Sequence, residues 1–266
     1  MNELQNRLLD ILKWFHAFCE ENNLRYFVLG GTMLGAARHK GFIPWDDDID
    51  VGLPRSDYER LKYLMNGKIF EDKFVLEEPL KNADFIYPFC KIYDTTTTLI
   101  ENAKVKIKRG IYIDVFPLDG IGNSVLELHK NYKKIGRLNT LLTIKVAGLR
   151  KGRKLYKNIG IVLFRMVPIS AKKVLAKLVA DCAKFSYDEN LYCANLVGNW
   201  GEKEIVSRDI MGKPTLYDFE DIKVYGPEKA DEYLTCLYGD WRKMPPKEKQ
   251  ITHHDYIKID LSKSYL

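Results

Sequence analysis

Four aspartates occupy five consecutive positions in Asp46-Asp47-Asp48-Ile49-Asp50, a dozen residues after the small-residue run Gly30-Gly31-Thr32. Carboxylates this close repel one another. Without a cation, some must take up protons and lose charge. A divalent metal removes the conflict, so the pattern points to a Mg²⁺ or Mn²⁺ site. In an extended segment side chains alternate faces, which puts Asp48 and Asp50 on one side, ~7 Å apart, with Ile49 and Val51 turned inward. Asp46 joins that face if the extended geometry starts early, and Asp47 is then solvated or structural. A third ligand is available in Ile111-Tyr112-Ile113-Asp114-Val115-Phe116, where one acid interrupts an apolar run. An acid there is costly unless it is paired or metal-bound. Capping of a turn ahead of Pro117 is the plainer alternative for Asp114.

Gly30-Gly31-Thr32 reads on its own as a strand-to-helix turn needing glycine dihedrals. It also reads as a phosphate cradle, with backbone N–H groups at a helix N-terminus and the Thr32 hydroxyl as a further donor. Arg38 and His39 follow at the end of that helix. Arg38 is a candidate bidentate phosphate ligand, with a helix C-terminal surface cation as the alternative. Lys91 is a similar phosphate candidate.

The elements that must position these groups follow from periodicity. Leu4, Leu8, Ile11, Leu12, Phe15, Phe18 and Cys19 recur at helical spacing, predicting an amphipathic helix over 3–21 rather than a secretion signal. A strand over Arg25–Leu29, a helix from Met33 to Arg38 and a strand from Asp48 to Leu53 come next. Ser56 and Glu59 have capping-box spacing, predicting a helix from Asp57 to Met65. Strands are predicted at Phe74–Glu77, Phe85–Tyr93, Thr97–Ile100 and Ile111–Phe116. The first 120 residues therefore predict an α+β fold with a mixed sheet.

Net charge is +6, but Leu128 through Ala180 contains no acid and fourteen basic residues, which leaves the rest of the chain at −8. This segment predicts mostly helix, including one over 172–185. Three units are expected: a core over 1–125, a basic helical subdomain over 126–198, and a mixed segment over 199–266 that completes the site. The basic segment suits an anionic membrane surface, a diphosphate-bearing acceptor, or solvent alone. Nucleic acid is not the expected partner, because no recognition motif accompanies the charge. No apolar run reaches the ~20 residues of a membrane span. Five scattered cysteines without a C-x-x-C pair fit reduced thiols, and a structural zinc site is not expected. His253 and His254 read as surface residues.

A small-residue turn, a helix and paired acids on the next strand resemble the layout of the nucleotidyltransferase superfamily. The wording goes further: Gly30-Gly31-Thr32-x-Leu34-Gly35-x-x-Arg38-His39-x-Gly41-Phe42-Ile43-Pro44-Trp45-Asp46-Asp47-Asp48-Ile49-Asp50 closely resembles the LicD family, which is related to the fukutin-related proteins. Lys91-Ile92-Tyr93-Asp94 with Thr95–Thr98, and Tyr238-Gly239-Asp240-Trp241 with Pro245-Pro246, look like further landmarks. The resemblance implies a nucleotidyltransferase-like core and transfer of phosphocholine, or a related phospho-alcohol, from a CDP-alcohol such as CDP-choline. The implied acceptor is a sugar hydroxyl of a lipid-linked cell-surface glycan precursor, such as teichoic acid or lipopolysaccharide, on the cytoplasmic side. Asp48, Asp50 and Asp114, with Asp46 in addition, are then expected to hold the metal, and Asp114 to take the acceptor proton. A choline head group needs aromatic enclosure, for which Trp45, Tyr112, Trp200, Tyr238 and Trp241 are candidates. An NTP-dependent nucleotidyltransferase and a non-enzymatic binding module are the competing readings. The Phe42–Trp45 wording speaks against the first, and three intact acids against the second.

Overall fold

The computed structural model describes residues 1–101, 108–146, 159–163, 168–252 and 256–266. The elements are α1 (Glu3–Glu21), β1 (Phe27–Val28), α2 (Gly30–His39), β2 (Asp50–Pro54), α3 (Arg55–Met65), β3 (Ile69–Phe70), β4 (Phe74–Glu77), β5 (Cys90–Glu101), β6 (Lys108–Gly122) and α4 (Val125–Val146). After them come α5 (Ala171–Cys182), β7 (Tyr192–Ala194), β8 (Val206–Ser207), α6 (Arg208–Met211), β9 (Thr215–Phe219), β10 (Ile222–Gly226), α7 (Ala230–Tyr238) and β11 (Tyr256–Asp260).

Among the described residues the main sheet runs β1-β2-β6-β5-β4-β3, with β11 on β5 and β7 bridging β6 to β8; β9 and β10 form a separate hairpin. β2 runs parallel to β6, and β1 and β5 are antiparallel to their neighbours in the sheet. This is the expected mixed α+β core. β6 is the strand from which the site is built. It is buried from Ile111 through Gly122, the pattern of a strand covered on both faces.

α1 starts with a capping box. The Asn2 side chain accepts from the Gln5 amide, and the Gln5 side chain accepts from that of Asn2. Its stripe of Leu8, Ile11, Leu12 and Phe15 packs on the central strands with almost no exposure. α3 begins earlier than the sequence suggests. Pro54 occupies the cap position and Ser56 lies inside the helix, so the predicted Ser56–Glu59 box does not form. Proline's fixed φ, favourable at a helix entry, moves the start two residues upstream. Arg55 is thereby placed to grip the fully buried Asp119 of β6 through two hydrogen bonds of 2.7 and 2.6 Å.

Other boundaries also differ. β5 starts at Cys90, so Phe85–Phe89 leads into the strand, and the predicted strand at Thr97–Ile100 is its continuation. α5 ends at Cys182, three residues short of the predicted end. Among the described residues no helix is long and apolar enough to cross a membrane. Cys19, Cys90, Cys182 and Cys193 are buried free thiols and Cys236 is an exposed one. Residues 147–158, the middle of the basic segment, and His253 and His254 lie outside the described residues.

Candidate active site

A cavity of about 350 Å³ opens above the β2–β6 pair, and Asp48, Asp50 and Asp114 all line it. The strand register brings two of them together: Asp50 and Asp114 are Cα partners in the parallel β2–β6 ladder. Asp48 arrives differently. β2 begins only at Asp50, so Asp46–Ile49 is irregular chain and the expected strand alternation does not apply to Asp48. That irregular path also draws in Asp47. The carboxylates whose oxygens gather within 4.8 Å of one another are those of Asp46, Asp47 and Asp48. Asp47, expected to be solvated or structural, is half-buried and belongs to this cluster.

α2 enters at Gly30 with φ of +48°, a left-handed conformation that favours glycine. A Cβ on Gly31 would sit 2.9 Å from Asp46 Oδ2, so the second glycine makes room for an acid. Carboxylates thus crowd the helix N-terminus, where the dipole favours negative charge. The Gly30 N–H donates to Tyr233 Oη of α7 at 3.1 Å. Thr32 serves the strand: its buried hydroxyl accepts the Asp50 amide at 2.9 Å and so fixes where β2 starts.

Burial, and then the charges of Asp48, Asp114, Asp46 and Glu204, push the Asp50 carboxyl well above the usual range. Asp114 is also raised by burial, with Lys91 pulling the other way. Lys91 is the register partner of Asp114 across β5–β6, and its Nζ lies 2.8 Å from Asp114 Oδ1. The ammonium rests 3.3 Å from the centroid of the Tyr112 ring and 4.2 Å from that of Tyr87. Cross-strand pairing aims Lys91 at the acid, so it serves as a buried counter-ion to Asp114 while also lining the cavity.

The remaining sequence candidates divide. Arg38 sits at the far end of α2, about 12 Å along the axis from Gly30. Its Nη1 donates to the Trp241 carbonyl at 2.9 Å and its Nε meets His39 Nε2 at 3.0 Å. It ties down the C-terminal segment instead of lining the cavity. Tyr112 and Trp200 do line it, and Tyr238 packs edge-on against Trp200 with centroids 4.6 Å apart. Trp45 packs at the edge of the core. Trp241 donates its indole N–H to Asp231 and stacks under Arg242. Neither is a cavity residue.

Two acids that the sequence reading passed over also line the cavity. Glu101 accepts the hydroxyls of Tyr87 and Tyr112, the latter at 2.6 Å. Glu204 is buried, and burial raises its carboxyl from 4.5 to about 7, against hydrogen bonds from the Trp200 amide and the Asn195 side chain. Isolated acids carry no local pattern, although the strand periodicity around Ile100-Glu101 could have flagged the first. One wall comes from α4: Asn139, Leu142, Thr143 and Val146 line the cavity at i, i+3, i+4 and i+7.

A family profile described as "LicD/FKTN/FKRP, nucleotidyltransferase domain" matches residues 23–133, the span holding Asp46, Asp47, Asp48, Asp50 and Asp114. The lipopolysaccharide cholinephosphotransferase LicD of Haemophilus influenzae is 30% identical over 257 residues, 96% of each chain. The chain belongs to the LicD family. It is a LicD-family transferase with the mixed sheet expected of that domain. More distantly, human ribitol 5-phosphate transferase FKRP is 36% identical over 69 residues, 25% of this chain and 14% of that one. A Saccharomyces cerevisiae protein called mannosyltransferase regulator 4 is 26% identical over 121 residues, 42% of this chain and 10% of its own.

Proposed function

We propose that this LicD-family member transfers phosphocholine, or a related phospho-alcohol, from a CDP-activated donor to a sugar hydroxyl of a cell-surface glycan precursor. The observation that carries the reading is the convergence of Asp48, Asp50 and Asp114 on one cavity, in a chain colinear over 96% of its length with a cholinephosphotransferase. The acceptor oxygen forms the new bond to the distal phosphorus, the bond from that phosphorus to the CMP oxygen breaks, and the hydroxyl proton passes to a carboxylate.

The donor set fits Mg²⁺ or Mn²⁺. Asp50 carries a strongly raised carboxyl amid like charges, a conflict that a hard divalent cation relieves. Asp48, Asp50 and Asp114, with Asp46, would hold the ion, and Asp47 adds to the negative field. Bound there, the ion supplies charge neutralisation for the diphosphate and for departing CMP. Asp114 takes the acceptor proton, and Lys91 orients its carboxylate. Gly30, at the start of α2, lines the cavity and brings the positive end of that helix dipole to the phosphates. Trp200 and Tyr238 supply aromatic faces for a quaternary ammonium, and Glu101 supplies negative charge nearby. A cytoplasmic site of action is part of the same reading.

The test is to incubate purified protein and Mg²⁺ with a panel of CDP-alcohols and a lipid-linked glycan. CMP release and the mass of the phosphorylated product are followed. CDP-choline consumption with matching product is expected. Pyrophosphate release from NTPs without CMP release from any CDP-alcohol would overturn the reading.

A further inference from the structure

α4 presents two stripes. The first, Asn139-Leu142-Thr143-Val146, walls the catalytic cavity. The second, Lys133-Gly136-Arg137-Thr140, is offset around the helix and lines a separate, more open groove of about 650 Å³. The two spaces share Asn139, Gly198 and Asn199 in their linings, so the groove adjoins the cavity. Its opposite bank is the 198–201 loop. That loop is built: the Trp200 amide donates to Glu204 at 2.9 Å, and a Cβ at Gly198 would overlap the Glu204 carboxylate. Gly201 meets α4 at the Tyr132 hydroxyl.

The electrostatics of the two spaces are opposite. The cavity is lined by Asp48, Asp50, Asp114, Glu101 and Glu204, with Lys91 committed to Asp114. The groove is lined by no acid and by two exposed cations. Lys133 and Arg137 stand at i and i+4, an arrangement of like charges that weakens a helix unless something else uses it. Among the described residues neither meets a carboxylate within ion-pair distance, whereas the neighbouring Lys134 is spent on Asp181 at 3.2 Å. The nearby loop acid Glu202 faces His129 at 4.0 Å. Arg137 lies six residues, about 9 Å along the axis, from Thr143 in the cavity wall. That suits a ligand that bridges both spaces.

We infer that this groove is the acceptor subsite and that it takes an anionic, phosphate-bearing part of the glycan. Lys133 and Arg137 grip the phosphate, Tyr132, Asn139 and Thr140 offer contacts to the sugar, and the reacting hydroxyl is delivered past Asn139 into the cavity. The inference rests on the transfer reading above and specifies its acceptor.

The probes are a bis-phosphorylated glucosamine disaccharide, its dephosphorylated counterpart, inorganic phosphate, CDP-choline and a short RNA. Each is titrated calorimetrically into the full chain and into the Lys133→Ala/Arg137→Ala variant. The expected result is phosphodisaccharide binding that weakens about tenfold in the variant, while CDP-choline binding changes by less than about twofold. Arg137→Lys, which keeps the charge, should retain part of the affinity. Loss of CDP-choline binding to the same extent would make the groove a nucleotide site and overturn the inference. So would equal binding of the dephosphorylated sugar, of inorganic phosphate alone or of RNA, or an unchanged phosphodisaccharide affinity. Binding is read without turnover. Failure of wild-type protein to release CMP, with phosphodisaccharide binding intact, would therefore count against the transfer reading and leave the groove's ligand standing.

Discussion

Glu204 makes the stability of this protein depend on pH in a defined direction. Its carboxyl is shifted from 4.5 to about 7 by burial under Gly198 and Trp200. Between those values the folded chain holds a proton that the unfolded chain has released, so stability falls as pH rises through the window and levels off above about 7. At 1.36 kcal/mol per pH unit the full penalty is ~3 kcal/mol, of which ~2.5 kcal/mol develops between pH 5 and pH 8. Glu204→Gln keeps the oxygen that accepts the Trp200 amide and removes the charge. Thermal unfolding followed by circular dichroism in EDTA should show the variant near wild type at pH 5. At pH 8 it should be more stable, by roughly 5–10 °C for a chain of this size. Relief of Asp50, whose carboxyl Glu204 helps to raise, acts in the same direction. Melting curves that stay parallel from pH 5 to pH 8 would refute the reasoning, because they would mean that Glu204 ionises without cost where it stands.

Asp50→Asn should raise the melting temperature in EDTA by removing one of the crowded charges, abolish the stabilisation by Mg²⁺ expected of wild type, and cut CMP release by at least about a hundredfold; calorimetry with and without Mg²⁺ and a CMP assay measure these. Arg55→Met strands the buried Asp119 and should cost ~3–5 kcal/mol in urea unfolding, most of it recovered in Arg55→Met/Asp119→Leu. Trp200→Ala should raise the KM for CDP-choline roughly fivefold and leave that for CDP-glycerol nearly unchanged, as expected if its ring contacts the quaternary ammonium.

Local chemistry made several things readable in the chain itself. The stripe of α1 and the bounds of β4 follow from periodicity, and the acids of 46–50 announce themselves by crowding. The motif from Gly30 to Asp50 carries the family resemblance. Boundaries failed where one residue outweighed a pattern, as at Pro54, whose ring sets the entry to α3. Tertiary structure alone decided which acids meet. Asp50 faces Asp114 because β2 lies parallel to β6, and Lys91 reaches Asp114 because β5 lies antiparallel to it. Arg38 is held by a carbonyl 203 residues away, and Glu204 enters the site from a loop with no signature of its own. A motif records what neighbouring residues impose on one another. Pairing register and burial depend on segments far apart in the chain, and these decide whether a charge is solvated, neutralised or turned into a reactive group.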